Sequence, residues 1–211
     1  MSAAWANAAD PNVEALLAKM RAAYGSAKSV TFTTETEIGK QKVESSFSFL
    51  SPGKIRLALS SSTSKTAGVL LTRISDGKTV SSKAGKRAGF KDQPYTPDSF
   101  VAGVPVNLES ICFFDWAKQL STAPGKNMEH SSFKLLLNQD WRGKKWTVLE
   151  ETATAQKIVC HYFIDPKTNF IWRTTVKAMP GGNAQNNADY QISQMNLAAK
   201  IDPSIFKIVR L

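Results

Sequence analysis

The hydrophobic pattern along the chain changes period several times, and each change marks an element. Val43, Ser45, Phe47 and Phe49 fall on one face of an extended segment, and Glu44, Ser46 and Ser48 on the other. After Ser51-Pro52-Gly53 the alternation resumes, with Ile55, Leu57 and Leu59 opposite Lys54, Arg56 and Ala58. Proline presets φ at one turn position and glycine tolerates the next, so Val43–Ser60 reads as an antiparallel hairpin, apolar on one face and wet on the other. Such a hairpin needs a cover on its apolar side only. Upstream the period is helical. Asp10 can cap a helix with Pro11 in its first turn, and Val13, Leu16, Leu17, Met20 and Tyr24 form its stripe before Gly25 ends it.

From Val30 the period is two, with Val30, Phe32, Thr34, Thr36 and Ile38 on one face and a turn at Gly39-Lys40. Ser60–Thr66 reads as a flexible loop. Val69–Ser75 is a strand, and Asp76-Gly77 turns it back through Thr79 and Val80. Between about Gly85 and Asn127, Pro94, Pro97 and Pro105 with Gly89 and Gly103 exclude long strands. Within that stretch, Asn107 or Leu108 to Leu120 predicts a helix carrying Leu108, Ile111, Cys112, Phe114 (or Phe113), Trp116 and Leu120, stopped by Pro124-Gly125.

Strands then return as a meander. Ser132–Trp141 carries Leu135 and Leu137 on one face, and Arg142-Gly143-Lys144-Lys145 turns into Trp146, Val148 and Glu150. Lys157–Asp165 sets Ile158, Cys160, Tyr162 and Ile164 opposite Val159, His161 and Phe163. Asp165–Asn169 is a turn, followed by Phe170, Trp172, Thr174 and Val176, and Ala188–Asn196 is the last strand. The expected fold is therefore α+β: a strongly curved antiparallel sheet of roughly ten strands, an incomplete half-open barrel. The N-terminal helix and the central helical insertion would cover its concave face. Residues 10–211 form one domain, preceded by residues 1–9. That tail is either disordered or the end of a secretory signal, with A-x-A at Ala4–Ala6 and Ala6–Ala8.

Composition narrows the function. The 211 residues are 42% apolar and 21% charged, which suits a globular chain and not a disordered one. The net charge of +10 would suit nucleic acid or an anionic surface. Yet the densest groups, Lys83, Lys86, Arg87 and Lys91, then Arg142, Lys144 and Lys145, sit where loops are expected, and no aromatic platform or recognition helix is expected beside them. A nucleic-acid partner ranks lowest. Cys112 and Cys160 could form one disulfide or stay as two buried thiols.

Catalytic chemistry finds little support. Adjacent strand residues point to opposite faces, so Cys160 and His161 cannot pair directly. His130, Cys112, Cys160 and His161 lack the close ligand pairs of a zinc site. Glu150 and Glu151 also face opposite ways and are expected to be solvated or paired to lysine; Asp98 and Glu109 offer no better pair. There is no phosphate loop and no G-x-S-x-G. No enzyme, metal or cofactor is expected.

Ile74-Ser75-Asp76-Gly77-Lys78-Thr79-Val80 resembles the S-D-G-K-T strand-turn-strand of the periplasmic outer-membrane lipoprotein carriers, the LolA and LolB type. The leading amphipathic helix, the Leu50–Arg56 hairpin with its central proline, and the terminal Asp202-Pro203-Ser204-Ile205-Phe206-Lys207-Ile208 fall in the same order. The resemblance implies an incomplete barrel closed by helices around an apolar cavity for acyl chains, in a periplasmic or secreted monomer without catalytic residues. Ser51 stands where those carriers place an arginine, and Ser81-Ser82-Lys83 where they place aromatics. The ligand is thus open between lipoprotein acyl groups, another lipid and a protein partner. Candidate cavity residues are Phe47, Phe49, Leu57, Leu59 and Leu71 on the sheet, with Phe100, Val104, Leu108, Ile111, Phe114 and Trp116 on the insertion. Lysines near the mouth could steer the protein to anionic lipid.

Overall fold

The computed structural model describes residues 10–38, 41–51, 53–61, 68–85, 89–96 and 131–208. The predicted Leu108–Leu120 helix, with Phe100, Val104, Leu108, Ile111, Phe114, Trp116, Cys112 and His130, lies outside the described residues. The same holds for the tail before Asp10.

Helix α1 spans Pro11–Ser26, where Asp10 accepts a hydrogen bond from the Asn12 N–H at 2.9 Å and Pro11 occupies the first turn. Its buried stripe is Val13, Leu17, Met20 and Tyr24, as the 3.6-residue spacing requires. Eleven strands follow: β1 (Ser29–Ile38), β2 (Gln41–Leu50), β3 (Lys54–Ser61), β4 (Gly68–Asp76), β5 (Thr79–Ala84), β6 (Lys91–Pro94), β7 (Ser131–Trp141), β8 (Lys144–Ala153), β9 (Ile158–Ile164), β10 (Ile171–Ala178) and β11 (Ala188–Asn196). They form one antiparallel sheet in the order β6-β5-β4-β3-β2-β1-β11-β10-β9-β8-β7. Every sequential hairpin pairs, as short turns dictate. Among the described strands the long-range join is β1 with β11, from Thr31 opposite Asn196 to Ile38 opposite Ala188. The strand beyond the expected ten is β6, a four-residue segment ending at Pro94. A proline cannot donate to a ladder, so the segment stays short and sits at the outer position of the sheet.

One face of this sheet is the inner face. Val30, Phe32, Phe47, Ile55, Leu57, Leu149, Tyr162, Ile164, Ile171 and Ile192 are buried there in one cluster with the α1 stripe. The helix is tied to the sheet at its C-terminal end: Tyr24 Oη accepts the Ile171 N–H at 2.9 Å, and its ring lies 4.4 Å from that of Phe170.

Period-two spacing would put Phe170, Trp172, Thr174 and Val176 on one face; they do not share one, because the β10 register slips between Ile171 and Arg173. The bulge sends Ile171, Thr174 and Val176 to the inner face and lets Trp172 touch both clusters. In β7 ordinary alternation puts Leu135 against the inner core and Leu136 against an outer one, and the register slips only beyond them, between Leu136 and Gln139. That outer cluster is Trp146, Val148 and Phe163, flanked by Leu136, Trp141 and Trp172. Elsewhere on the outer face, the 3-10 turn Pro203–Phe206 lies on β3 and β4, with Arg56 donating to the Ile205 carbonyl at 3.2 Å and Phe206 buried.

Candidate functional site

The inner wall over β1–β5 is organised in cross-strand rows. The middle row runs Met195, Phe32, Phe47, Leu57, Arg73 and Ser82, each residue paired with the next. Phe32 and Phe47 stack at 4.6 Å and 22°. The row nearer the α1–β1 connection runs Val30, Phe49, Ile55, Ser75 and Val80. The next row away runs Thr34, Ser45, Leu59 and Leu71, where Thr34 and Ser45 hydroxyls bond at 2.5 Å. The five sheet candidates therefore form one contiguous patch. Phe47, Leu57 and Leu59 are buried, and Phe49 and Leu71 are half-buried against the same core.

Arg73 is the residue that the sequence reading missed. It continues the apolar row beyond Leu57, is only 7% exposed, and its Nε donates to Ser82 Oγ at 3.0 Å. Burial pushes its guanidinium below the ordinary value. The signal was present: Leu71 and Ser75 flank it at period two on a face that is otherwise apolar.

The β8–β10 wing has different chemistry. Glu151, Cys160 and Tyr162 share the inner face, and Tyr162 Oη donates to Glu151 Oε2 at 2.5 Å. Cys160 is a buried free thiol, so the thiol reading holds at that position. Burial, with Glu151 nearby, pushes it from its ordinary 9.0 to about 11. Tyr162 is raised well above its ordinary value, chiefly by burial. A thiol held protonated is a poor nucleophile. The register gives each glutamate a partner on its own face: Glu150 meets His161 at 2.9 Å on the outer face, and Glu151 accepts from Tyr162 on the inner. Among the described residues no three His, Cys, Asp or Glu side chains gather as a metal cluster would.

The outer face also corrects the reading of the basic groups. Arg142 lies 4.7 Å over the Trp141 ring, Arg173 lies 5.4 Å from it and 5.1 Å from Phe163, and Lys83 lies 5.8 Å over Phe90. Aromatic platforms thus do stand beside both groups. Trp141 directly precedes Arg142 in the chain, whereas Phe163 comes beside Arg173 only through strand pairing. Arg173 binds Asp189 through both Nε (2.9 Å) and Nη2 (2.6 Å). Gln191 links Asp189 to Arg142. These cations are engaged with protein groups, which differs from a row of free phosphate contacts.

Among the depressions lined by described residues, two, of about 560 and 630 Å³, lie around Thr33, Ser46 and Gln194, the first also lined by Leu59 and the second by Phe32 and Phe47. A third, of about 570 Å³, opens between the C-terminal end of α1, the β9–β10 turn and the end of β11.

No family model and no curated protein sequence matches the chain. Solved structures do. MucB superposes with a TM-score of 0.57 at 16% identity, over 95% of this chain and 64% of that one, so the chain spans under two thirds of MucB. An uncharacterized conserved protein of Thermus thermophilus gives 0.60 at 8% identity, covering 94% of each chain. The Mycobacterium tuberculosis lipoprotein LppX gives 0.53 at 10%, covering 92% of this chain and all of that one (100%). The chain has the fold of these proteins, the LolA/LolB-like fold that the resemblance implied.

Proposed function

We propose that this chain is a non-catalytic, periplasmic or secreted binding protein whose inner face holds an acyl chain or lipid. Phe47, Phe49, Leu57, Leu59 and Leu71 would form one wall of the site. Phe100, Val104, Leu108, Ile111, Phe114 and Trp116 are the candidates for the opposite wall. The observation that carries the reading is the middle cross-strand row, an apolar track from Phe32 through Leu57 that ends on a buried guanidinium at Arg73. An amphiphile fits that order: each buried methylene contributes about 0.8 kcal/mol, and a carboxylate or phosphate end meets Arg73. The fold shared with the lipoprotein LppX supports a carrier of this kind.

Native mass spectrometry after gentle purification, followed by titration with a fluorescent fatty acid, tests the reading. The expected result is a co-purified lipid or saturable uptake, weakened at least tenfold in Leu57→Trp. Arg73→Met should weaken a fatty acid and leave the matching fatty alcohol little changed. A protein with no lipid and no uptake would sink the proposal. A second reading is then in place, that of a protein-binding module, which the fold shared with MucB from the MucA/MucB complex of Pseudomonas aeruginosa favours (TM-score 0.52, 13% identity).

A further inference from the structure

The antiparallel order brings six connections to one end of the sheet: α1–β1, β2–β3, β4–β5, β7–β8, β9–β10 and the segment after β11. Each carries or directly adjoins a lysine: Lys28, Lys78, Lys167 and Lys200 lie in the connections, and Lys54 and Lys144 are the first residues of β3 and β8. Lys54 is half-buried and the other five are exposed. The carboxylates at the same end are turned into their own loops. Asp76 Oδ1 accepts the N–H groups of Lys78 and Thr79 at 2.8 Å each, Asp165 Oδ1 accepts that of Lys167 at 2.8 Å, and Asp202 Oδ1 accepts that of Ser204 at 2.8 Å. Asp140 is engaged with Lys145 at 2.8 Å. These acids are engaged locally, and the six lysines outnumber the four aspartates at this end.

The 570 Å³ depression opens at this same end. Ala23, Ala27, Phe170 and Leu197 give it apolar walls, and Lys28 stands at its lip. Thr168 Oγ1, which also lines it, is buried and has no hydrogen-bond partner among the described residues. At the β7–β8 tip the Trp141–Arg142 stack adds an aromatic with a polar edge, the kind of side chain that settles at headgroup level.

We infer that this end of the sheet docks on an anionic lipid bilayer and that the depression is the opening through which lipid passes. The docking stands on the charge and the opening alone; only the passage of lipid rests on the reading under Proposed function. Lysines near an anionic surface act additively over about a Debye length, so the rim gains from each connection.

Sedimentation with phosphatidylcholine vesicles, with and without phosphatidylglycerol, tests it. Binding should require phosphatidylglycerol and weaken with added salt. The triple variant Lys28→Gln, Lys144→Gln, Lys167→Gln should bind on the order of 100-fold more weakly. A control triple at the opposite end of the sheet, Lys42→Gln, Lys157→Gln, Lys177→Gln, removes the same charge and should lose less than about fivefold. Equal losses in the two triples would overturn the proposal by assigning binding to net charge. So would an absence of phosphatidylglycerol binding, or tighter salt-sensitive binding to a DNA duplex than to the vesicles. Fatty-acid uptake is read separately, so a protein that docks without taking up lipid refutes the carrier reading and keeps the docking one.

Discussion

At the scale of single residues, backbone geometry and burial set limits that the alternation pattern cannot express. Gly53 has φ +64°, and a Cβ there would sit 3.1 Å from the Gly77 Cα, so the β2–β3 turn rests backbone to backbone against the Asp-Gly turn of β4–β5. Gly53→Ala incurs both a left-handed backbone and a collision with backbone, and should cost about 1–2 kcal/mol, read as a lower denaturation midpoint. Pro52-Gly53 and Asp76-Gly77 were each legible as turns; their contact was not, since it joins two hairpins. Cys160 and Tyr162 set a pH limit. Both have folded pKa values above their unfolded ones, Cys160 rising from 9.0 to about 11. Their contribution is complete below pH 9, where both states are protonated. It falls as the pH rises toward 11, because the unfolded chain ionises first. Stability to urea should therefore drop across that window, and Cys160→Ala with Tyr162→Phe should flatten the drop.

At the scale of elements, existence and facing were legible wherever one face met the core. The α1 stripe, the alternation in β1 to β3 and the bounds of β11 all follow from apolar spacing, because a one-residue slip would send the whole buried set to water. Where apolar residues occur on both faces, spacing loses its meaning. Trp172 follows Ile171 at the β10 bulge and Leu136 follows Leu135, so spacing alone does not say which of each pair meets the inner core. The helix–sheet join is likewise tertiary. Tyr24 reads as the last apolar position of a stripe, yet its hydroxyl accepts the N–H of Ile171, a residue with no exposure. Tyr24→Phe strands that donor and should cost about 1–3 kcal/mol, with faster amide exchange at the start of β10 than elsewhere in the strand.

At the scale of the whole molecule, β1 pairs with β11 and makes one sheet out of two meanders. That ladder closes nearly the full chain length, so its formation should be late and slow. Substituting Thr34 by proline removes a ladder donor in the central strand and the buried hydroxyl that meets Ser45. It should abolish the cooperative unfolding transition, whereas proline at Lys91, in the four-residue strand β6, should leave it. The sequence by itself determined the α+β class, the leading helix, the order of the strands within each meander and the apolar face of the Val43–Ser60 hairpin. It could do so because those properties depend on neighbours a few residues apart. Tertiary structure alone decided the rest: that Arg73 ends the track which Phe32, Phe47 and Leu57 begin, that Glu150 and Glu151 serve His161 and Tyr162, and that Phe163 stands beside Arg173. Each of these is a cross-strand relation. Register fixes such relations, and register depends on bulges and on the β1–β11 join, neither of which has a period to read.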